Sequence, residues 1–327
     1  MQSAKLKTKM QNDKSKFKIN RKFKKNVLLR DYTTFKIGGP AKYFFEAKTE
    51  EDLIEAIKFV YQKKLPFFVL GGGSNILFSN EGFEGMIIRC QISNIKCQNS
   101  KIYTEAGVKL SDLVKLSSDK GLSGLEWVAG IPGTVGGAIW GNAGAFGKSI
   151  ADIIKEVKIF NAKELRIKNY ELRDCKFGYR ESIFKKNKNL IILSCLLELK
   201  KGKRKEIRKK IKKNIDYRIK NHPLNFSSAG CVFKNYESRI RNQGLMKKFS
   251  ELKEFNKKRE IPAAWLIEKC GLKGRKIGGA QVSEKHANFI VNLRKASSND
   301  IIKLINLVKK KVKEKFDIKL EKEIQII

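Results

Sequence analysis

Two glycine-rich stretches set the strongest limit on how this chain can fold. The first is Val69-Leu70-Gly71-Gly72-Gly73-Ser74-Asn75. The second is Trp127-Val128-Ala129-Gly130-Ile131-Pro132-Gly133-Thr134-Val135-Gly136-Gly137, which runs on through Gly141-Asn142-Ala143-Gly144-Ala145. Each follows or interrupts apolar residues, so each reads as backbone laid bare at the edge of a core. Glycine admits positive φ and lets backbone N–H groups approach a bound group closely. Runs of such N–H groups form anion-binding nests. Two in one chain point to a single long ligand that contains a pyrophosphate.

The two commonest phosphate motifs do not account for them. A dinucleotide fingerprint GxGxxG needs glycines at 71, 73 and 76, and position 76 is Ile. Gly147-Lys148-Ser149 resembles the end of a P-loop, but the glycine required five residues earlier is Asn142, with Gly141 one step too far.

The 327 residues leave room for two or three small domains. No run of 18 apolar residues spans a membrane, and Lys occupies the N-terminal region where a signal peptide needs its apolar stretch. The reading is therefore of a cytoplasmic chain. Its net charge of +38 invites a nucleic-acid partner. Lys is spread over nearly every segment, however, and no recognition motif accompanies it, so compositional bias is the reading preferred. Residues 1–25 hold ten Lys or Arg against the single acid Asp13 and are expected to be a disordered basic tail. Six cysteines with no CxxC pair argue against a disulfide framework, and the two histidines, His222 and His286, lack metal-binding spacing, so no metal is expected.

Hydrophobic periodicity divides the remainder into three units. Residues 26–90 read as a first α+β unit, with strands over 41–47, 67–70 and 85–89 and a helix over 50–63. Residues 91–205 read as a second, with strands over 102–105, 157–160 and 190–199 and a helix over 111–120. Residues 206–327 read as a third. Within 200–221, twelve Lys or Arg surround Ile207, Ile211 and Ile215, which is a solvated helix with one apolar stripe connecting two units. Further helices are expected near 263–269, closed by Gly271, and from 300 to about 316, capped by Ser298 or Asn299. Residues 318–327 read as strand.

Taken singly, Tyr179-Arg180-Glu181-Ser182 is a polar loop and Ser228-Ala229-Gly230-Cys231-Val232-Phe233-Lys234-Asn235 a strand entry. In order, with Thr33-Thr34-Phe35-Lys36-Ile37-Gly38-Gly39-Pro40-Ala41, both glycine stretches, Gly278-Gly279-Ala280-Gln281-Val282-Ser283-Glu284-Lys285-His286-Ala287-Asn288 and Leu320-Glu321-Lys322-Glu323, they carry more. The chain from about residue 28 to 327 resembles the UDP-N-acetylenolpyruvoylglucosamine reductase family of peptidoglycan precursor synthesis, in its compact type. That resemblance implies an α+β fold: a two-part FAD-binding module like that of vanillyl-alcohol oxidases, plus a C-terminal α+β substrate-binding domain.

The resemblance also implies the roles. FAD would lie between the first two units, held by Gly71, Gly72, Gly73, Ser74 and Asn75 and by Gly130, Ile131, Pro132, Gly133, Thr134, Gly136, Gly137, Asn142, Ala143 and Gly144. In the family NADPH reduces FAD, and hydride then passes to the vinyl CH2 carbon of the enolpyruvyl ether, leaving negative charge on the adjacent carbon and its carboxylate. Arg180 matches the cation that meets this charge, and its planar fork suits a carboxylate. Cys231 stands where many members have Ser, as proton donor, with an unperturbed thiol pKa of about 8.5. Glu323 matches the carboxyl that works with Arg180, and as a general acid it needs a pKa raised by burial. Tyr179, Ser182, Asn235 and His286, and more loosely Lys220, match substrate-holding positions. The implied partner is a small-molecule UDP-sugar, with no nucleic acid or membrane, acting on a monomer.

Two departures stand out. Tyr236 replaces the family's Pro after Asn235, and residues 237–260 are longer and more charged, which marks a loop that could lie over the substrate mouth. Two competing readings remain. One is an FAD-dependent oxidase of the same superfamily acting on a sugar or alcohol, which has no use for Arg180, Cys231 and Glu323 as a set. The other is a basic nucleic-acid-binding protein working through residues 1–25 and 200–221, where only Phe17, Phe23 and Tyr217 supply aromatic surface.

Overall fold

The computed structural model describes residues 23–327. The first unit is a four-stranded sheet in the order Lys24–Leu28, Pro40–Ala47, Phe83–Cys90, Phe67–Leu70. The first pair is antiparallel and the other two are parallel. Parallel neighbours need a crossover, and the helix Glu50–Gln62 supplies it. Thr49 starts that helix with a reciprocal capping box to Asp52, and Leu53, Ala56, Ile57 and Val60 face the sheet.

The second unit is an antiparallel five-stranded sheet in the order Arg166–Glu171, Ile154–Asn161, Leu190–Glu198, Lys101–Glu105, Ile95–Gln98. Its core is continuous with the helical face of the first unit, since Ile57, Met86 and Ile88 pack in one cluster with Leu113, Ile139, Ile159 and Leu193. The third unit has a separate core. There the helix Ser298–Phe316 lies on the short strands Lys276–Ile277, Ala280–Val282 and Ile290–Asn292, and Phe35, Ile37 and Leu77 reach in from the first unit.

Several expectations are corrected here. Residues 24–25 belong to the first strand rather than to a disordered tail, because Val27 and Leu28 pair with Ala41 and Pro40 and draw the chain onto the sheet. Residues 1–22, the rest of that expected tail, lie outside the described residues. The helix Arg204–Asn221, assigned to the third unit by a boundary at 206, packs instead on the second. Ile207 is buried there, Ile211 joins the second-unit core, and Asn214 Nδ2 donates to Glu126 O at 2.7 Å. The apolar stripe is only half used, since Ile215 stays 38% exposed.

Residues 237–260 form two short helices, Gln243–Lys248 and Glu251–Lys258. The excursion is closed at its base by Tyr236 and Ile261, which exchange N–H···O bonds of 2.9 Å. Phe249 and Phe255 pack at 5.5 and 5.4 Å against Trp265, which seats the excursion on the third-unit core. Of the expected strand over 318–327, only Gln325–Ile326 is regular, and its partner is Ile76–Leu77 in the first unit.

The cap of Ser298–Phe316 is Ser297, one residue earlier than expected. Its hydroxyl accepts from Asp300 N at 3.1 Å while Asp300 Oδ2 accepts from Ser297 N at 2.9 Å. Ser298 is turned to the first unit, exchanging bonds with Asn80. Ser297→Ala is therefore expected to lower unfolding free energy by about 1 kcal/mol, and Asn299→Ala by less than about 0.5 kcal/mol, measured by urea denaturation.

Candidate active site

The two glycine stretches meet. A Cβ on Gly72 would lie 2.7 Å from Gly133 Cα, and one on Gly71 would lie 2.6 Å from Thr134 Oγ1. Only glycine permits that approach. Ser74 Oγ donates to Pro132 O at 3.0 Å and ties the loops together. The N–H groups of residues 71–75, and of Gly133 and Thr134 opposite, donate to no acceptor among the described residues. Buried or half-buried amides rarely go unpaired without a ligand or water. Six of the seven belong to buried or half-buried residues, Gly72 being exposed, and together they suit an anion.

Above the second stretch, Arg218 is 8% exposed and donates from Nε to Ala129 O at 2.9 Å and from a terminal nitrogen to Trp127 O at 3.1 Å. It fixes the entry to Gly130, whose added Cβ would strike Arg218 Cδ at 2.8 Å. Arg218 is a buried cation that sequence reasoning passed over, because it sits among the Lys and Arg of a helix read as solvated.

Arg180, Cys231 and Glu323 come from three distant segments and converge. Arg180 lies in the turn 178–181, and one of its terminal nitrogens donates to Gly144 O at 2.9 Å. Its Nε is 2.7 Å from Glu323 Oε1, an ion pair off the axis of a hydrogen bond. Glu323 is held beside Cys231 by backbone pairing, its N–H donating to Val232 O at 2.8 Å. Burial raises the Glu323 carboxyl above its ordinary range, against the opposing pull of Arg180, Lys185 and Lys234. That is the direction a proton-holding carboxyl requires.

Cys231 retains some exposure, yet desolvation pushes its thiol up to about 12. Glu323 adds to the rise, while Arg180, Arg218 and a hydrogen bond with Asn288 oppose it. The unperturbed thiol value is thus corrected: Cys231 is neutral at physiological pH and a weaker acid than an exposed cysteine. Gly230 beside it has φ +76° and nothing within 4 Å of its Cβ position, so the backbone just before Cys231 is uncrowded.

Other expected residues make contacts within the protein. Ser182 is fully buried, donates to Trp140 O at 2.7 Å and accepts from Lys185 N at 3.2 Å, so it caps the short helix Ile183–Lys186. Asn235 spends its amide on Glu260 Oε1 (2.5 Å) and Ala263 N (3.1 Å). Asn142 holds Gly178 O and Ala151 N, and Asn75 Nδ2 holds Glu323 O at 3.3 Å. Gly136 packs on Ala106, where an added Cβ would lie 2.8 Å from the alanine's own.

Ile131 and Ala143 pack at the edge of the second-unit core. Tyr179 stays near the cluster, its ring 5.3 Å from the Arg180 guanidinium. Lys220 is exposed at the end of its helix. His286 lies in a row of rings, 5.4 Å from His222 and 4.9 Å from Phe289, and burial lowers its pKa. Gly147-Lys148-Ser149 lies in a hairpin between Gly144–Ala145 and Lys148–Ser149, which removes the P-loop reading.

Comparison with known proteins gives this arrangement a family. Residues 222–327 match the C-terminal domain of UDP-N-acetylenolpyruvoylglucosamine reductase, and residues 41–167 match an FAD binding domain. The UDP-N-acetylenolpyruvoylglucosamine reductase of Carboxydothermus hydrogenoformans is 40% identical over 304 residues, 92% of this chain and 93% of that one. The chain belongs to the UDP-N-acetylenolpyruvoylglucosamine reductase family. The reductase of Protochlamydia amoebophila is also 40% identical, over 311 residues and 95% of each chain. The crystal structure of the reductase from Thermus caldophilus superposes with a TM-score of 0.73 at 32% identity, covering 93% of this chain and 99% of that one. The family's C-terminal domain begins at His222, directly after the helix Arg204–Asn221 that packs on the second unit.

The cofactor of this family fits the residues present. Membership makes the chain an FAD-containing oxidoreductase, and the unpaired amides of residues 71–75, Gly133 and Thr134 suit the FAD pyrophosphate. No described helix is long and apolar enough to cross a membrane, and no described cluster of His, Cys, Asp or Glu could hold a metal ion. Gly72→Ala is expected to force the two loops apart and weaken FAD binding about ten-fold or more. Gly137→Ala, whose Cβ would meet only Thr134 Oγ1 at 3.6 Å, leaves that affinity within about two-fold. Flavin fluorescence titration of the two variants measures both.

Proposed function

We propose that this chain reduces the enolpyruvyl ether of UDP-N-acetylglucosamine enolpyruvate to UDP-N-acetylmuramate, with NADPH as reductant, and that it serves peptidoglycan precursor synthesis in the cytoplasm. The observation that carries the site assignment is the convergence of Arg180, Cys231 and Glu323 beside the paired glycine loops. FAD, which the amides of residues 71–75, Gly133 and Thr134 would hold, would supply the hydride.

The chain's own residues handle charge and protons. Arg180 is anchored at Gly144 O and pairs with Glu323, so a substrate carboxylate arriving at the turn takes the guanidinium as a ready cation. The negative charge that develops next to that carboxylate is stabilised by a group already in place, which avoids reorganisation during the reaction. Glu323 gives up its partner to the substrate, and burial then favours its protonated form still further. Cys231 holds a neutral S–H beside Glu323, the form that can protonate the carbanionic carbon. Tyr179 lies in the same turn, and the family resemblance alone assigns His286 and, more loosely, Lys220 to the diphosphate of the substrate.

The purified protein is expected to be yellow, to bleach with NADPH and to recover its colour with the enolpyruvyl substrate. Cys231→Ala and Glu323→Gln should leave the NADPH step within about two-fold while slowing recovery by about 100-fold or more. Cys231→Ser should keep much of the activity. Stopped-flow absorbance separates the two steps. A protein that takes up no FAD, or variants that lose both steps together, would overturn the assignment.

A further inference from the structure

In the turn 178–181, Gly178 N donates to Glu181 O at 3.0 Å and Glu181 N to Gly178 O at 3.1 Å. Its third residue, Arg180, lies at φ 55°. That left-handed conformation costs a non-glycine residue about 1 kcal/mol or more, and it persists only where the surroundings impose it.

Three successive residues of this turn each reach the third unit. Tyr179 Oη accepts from Asn235 N at 3.1 Å, Arg180 meets Glu323 at 2.7 Å, and Glu181 Oε1 accepts from Lys234 Nζ at 2.7 Å. From the inner side, Lys185 Nζ donates to Arg180 O at 2.9 Å and to Glu181 Oε1 at 3.3 Å. Tyr179 and Arg180 face the site. Glu181 and Lys234 pair with each other beside it, close enough for the Lys234 charge to act on Glu323.

Their ion pair is shielded, with the Lys234 side chain 13% exposed and that of Glu181 30% exposed. Burial works against the Lys234 ammonium, yet the hydrogen bond and charge of Glu181, with help from Glu321, hold its pKa above the usual value. Lys234 stands three residues beyond Cys231 on the segment whose Val232 and Lys234 pair with Glu323 and Glu321. The pair therefore bridges the turn that carries the cation and the segment that carries the thiol.

We propose that Glu181 and Lys234 are positioning residues, whose ion pair across the junction sets the spacing between the Arg180 guanidinium and the Cys231 proton donor. The inference rests on the reading of Arg180 as the group that meets the substrate carboxylate. Displacement of about 1 Å at a reacting centre can cost about 100-fold in rate, so the pair controls the substrate step without touching substrate.

The test uses the full-length, FAD-loaded protein with Glu181→Gln, Lys234→Met, the double variant, Lys234→Arg and Arg180→Lys. Glu181→Gln and Lys234→Met are expected to slow flavin reoxidation by substrate about ten-fold or more, with reduction by NADPH unchanged within about two-fold. The double variant should be no slower than the worse single one, because one interaction is lost in all three. Lys234→Arg should restore most of the rate. If Lys234→Met fails to load FAD, Glu181→Gln, which keeps the side-chain volume, carries the test alone. Equal loss of both half-reactions, or strict additivity, would overturn the proposal. Impaired Arg180→Lys beside unimpaired Glu181→Gln and Lys234→Met overturns the positioning role alone, whereas unimpaired Arg180→Lys overturns the reading beneath it as well.

Discussion

Residues 321–327 join everything the site needs. Lys234 N donates to Glu321 O, Glu323 N to Val232 O, Gln325 N to Asn75 O and Ile327 N to Leu77 O, while Ser79 N donates back to Ile327 O. One extended segment is thus stitched first to the strand entry that carries Cys231 and then to the exit of the first glycine stretch. Asn75 Nδ2 adds a bond to Glu323 O. Each of these bonds is worth only about 1 kcal/mol, but together they fix register. A slip by one residue would turn Glu323 away from Arg180 and place Lys322 or Ile324 in its stead.

Electrostatics at the junction follow from that stitching. Glu323 is buried enough for desolvation to outweigh its cation, so its pKa goes up, whereas Glu181 nearby is held below its usual range because Lys234 and Lys185 outweigh its burial. Two carboxyls within a few residues of the same cluster are driven in opposite directions. The one driven up sits beside Cys231, and the one driven down acts as a fixed charge. Divergent environments of this kind separate an acid from an electrostatic anchor.

How much of this could be read in the sequence depended on whether the constraint was local. The glycine stretches were legible because close backbone approach admits no other residue at Gly71 and Gly72. The helix ending at Phe316 was legible because Ile301, Ile305, Val308 and Val312 repeat at helical spacing. Its start was ambiguous because Ser297, Ser298 and Asn299 are all good caps, and the choice was made by Asn80, more than 200 residues away.

The stripe on Arg204–Asn221 was visible, but the unit it packs on was not, since an apolar face does not name its partner. Arg180, Cys231 and Glu323 were found through the family motifs, while Lys234 and Lys185 were missed. With 71 Lys and Arg against 33 acids, nothing in the sequence distinguishes the few lysines that find a buried carboxylate from the many that face water. The charge of Arg218 was hidden in the same way.

The desolvation around Cys231 has a consequence for the durability of the protein. Oxidation of cysteine proceeds through the thiolate, and a thiol held near 12 supplies almost none at neutral pH. Burial that makes Cys231 a slower acid also makes it a poor target for oxidation to sulfenic acid, so the chain can keep a thiol here at little risk.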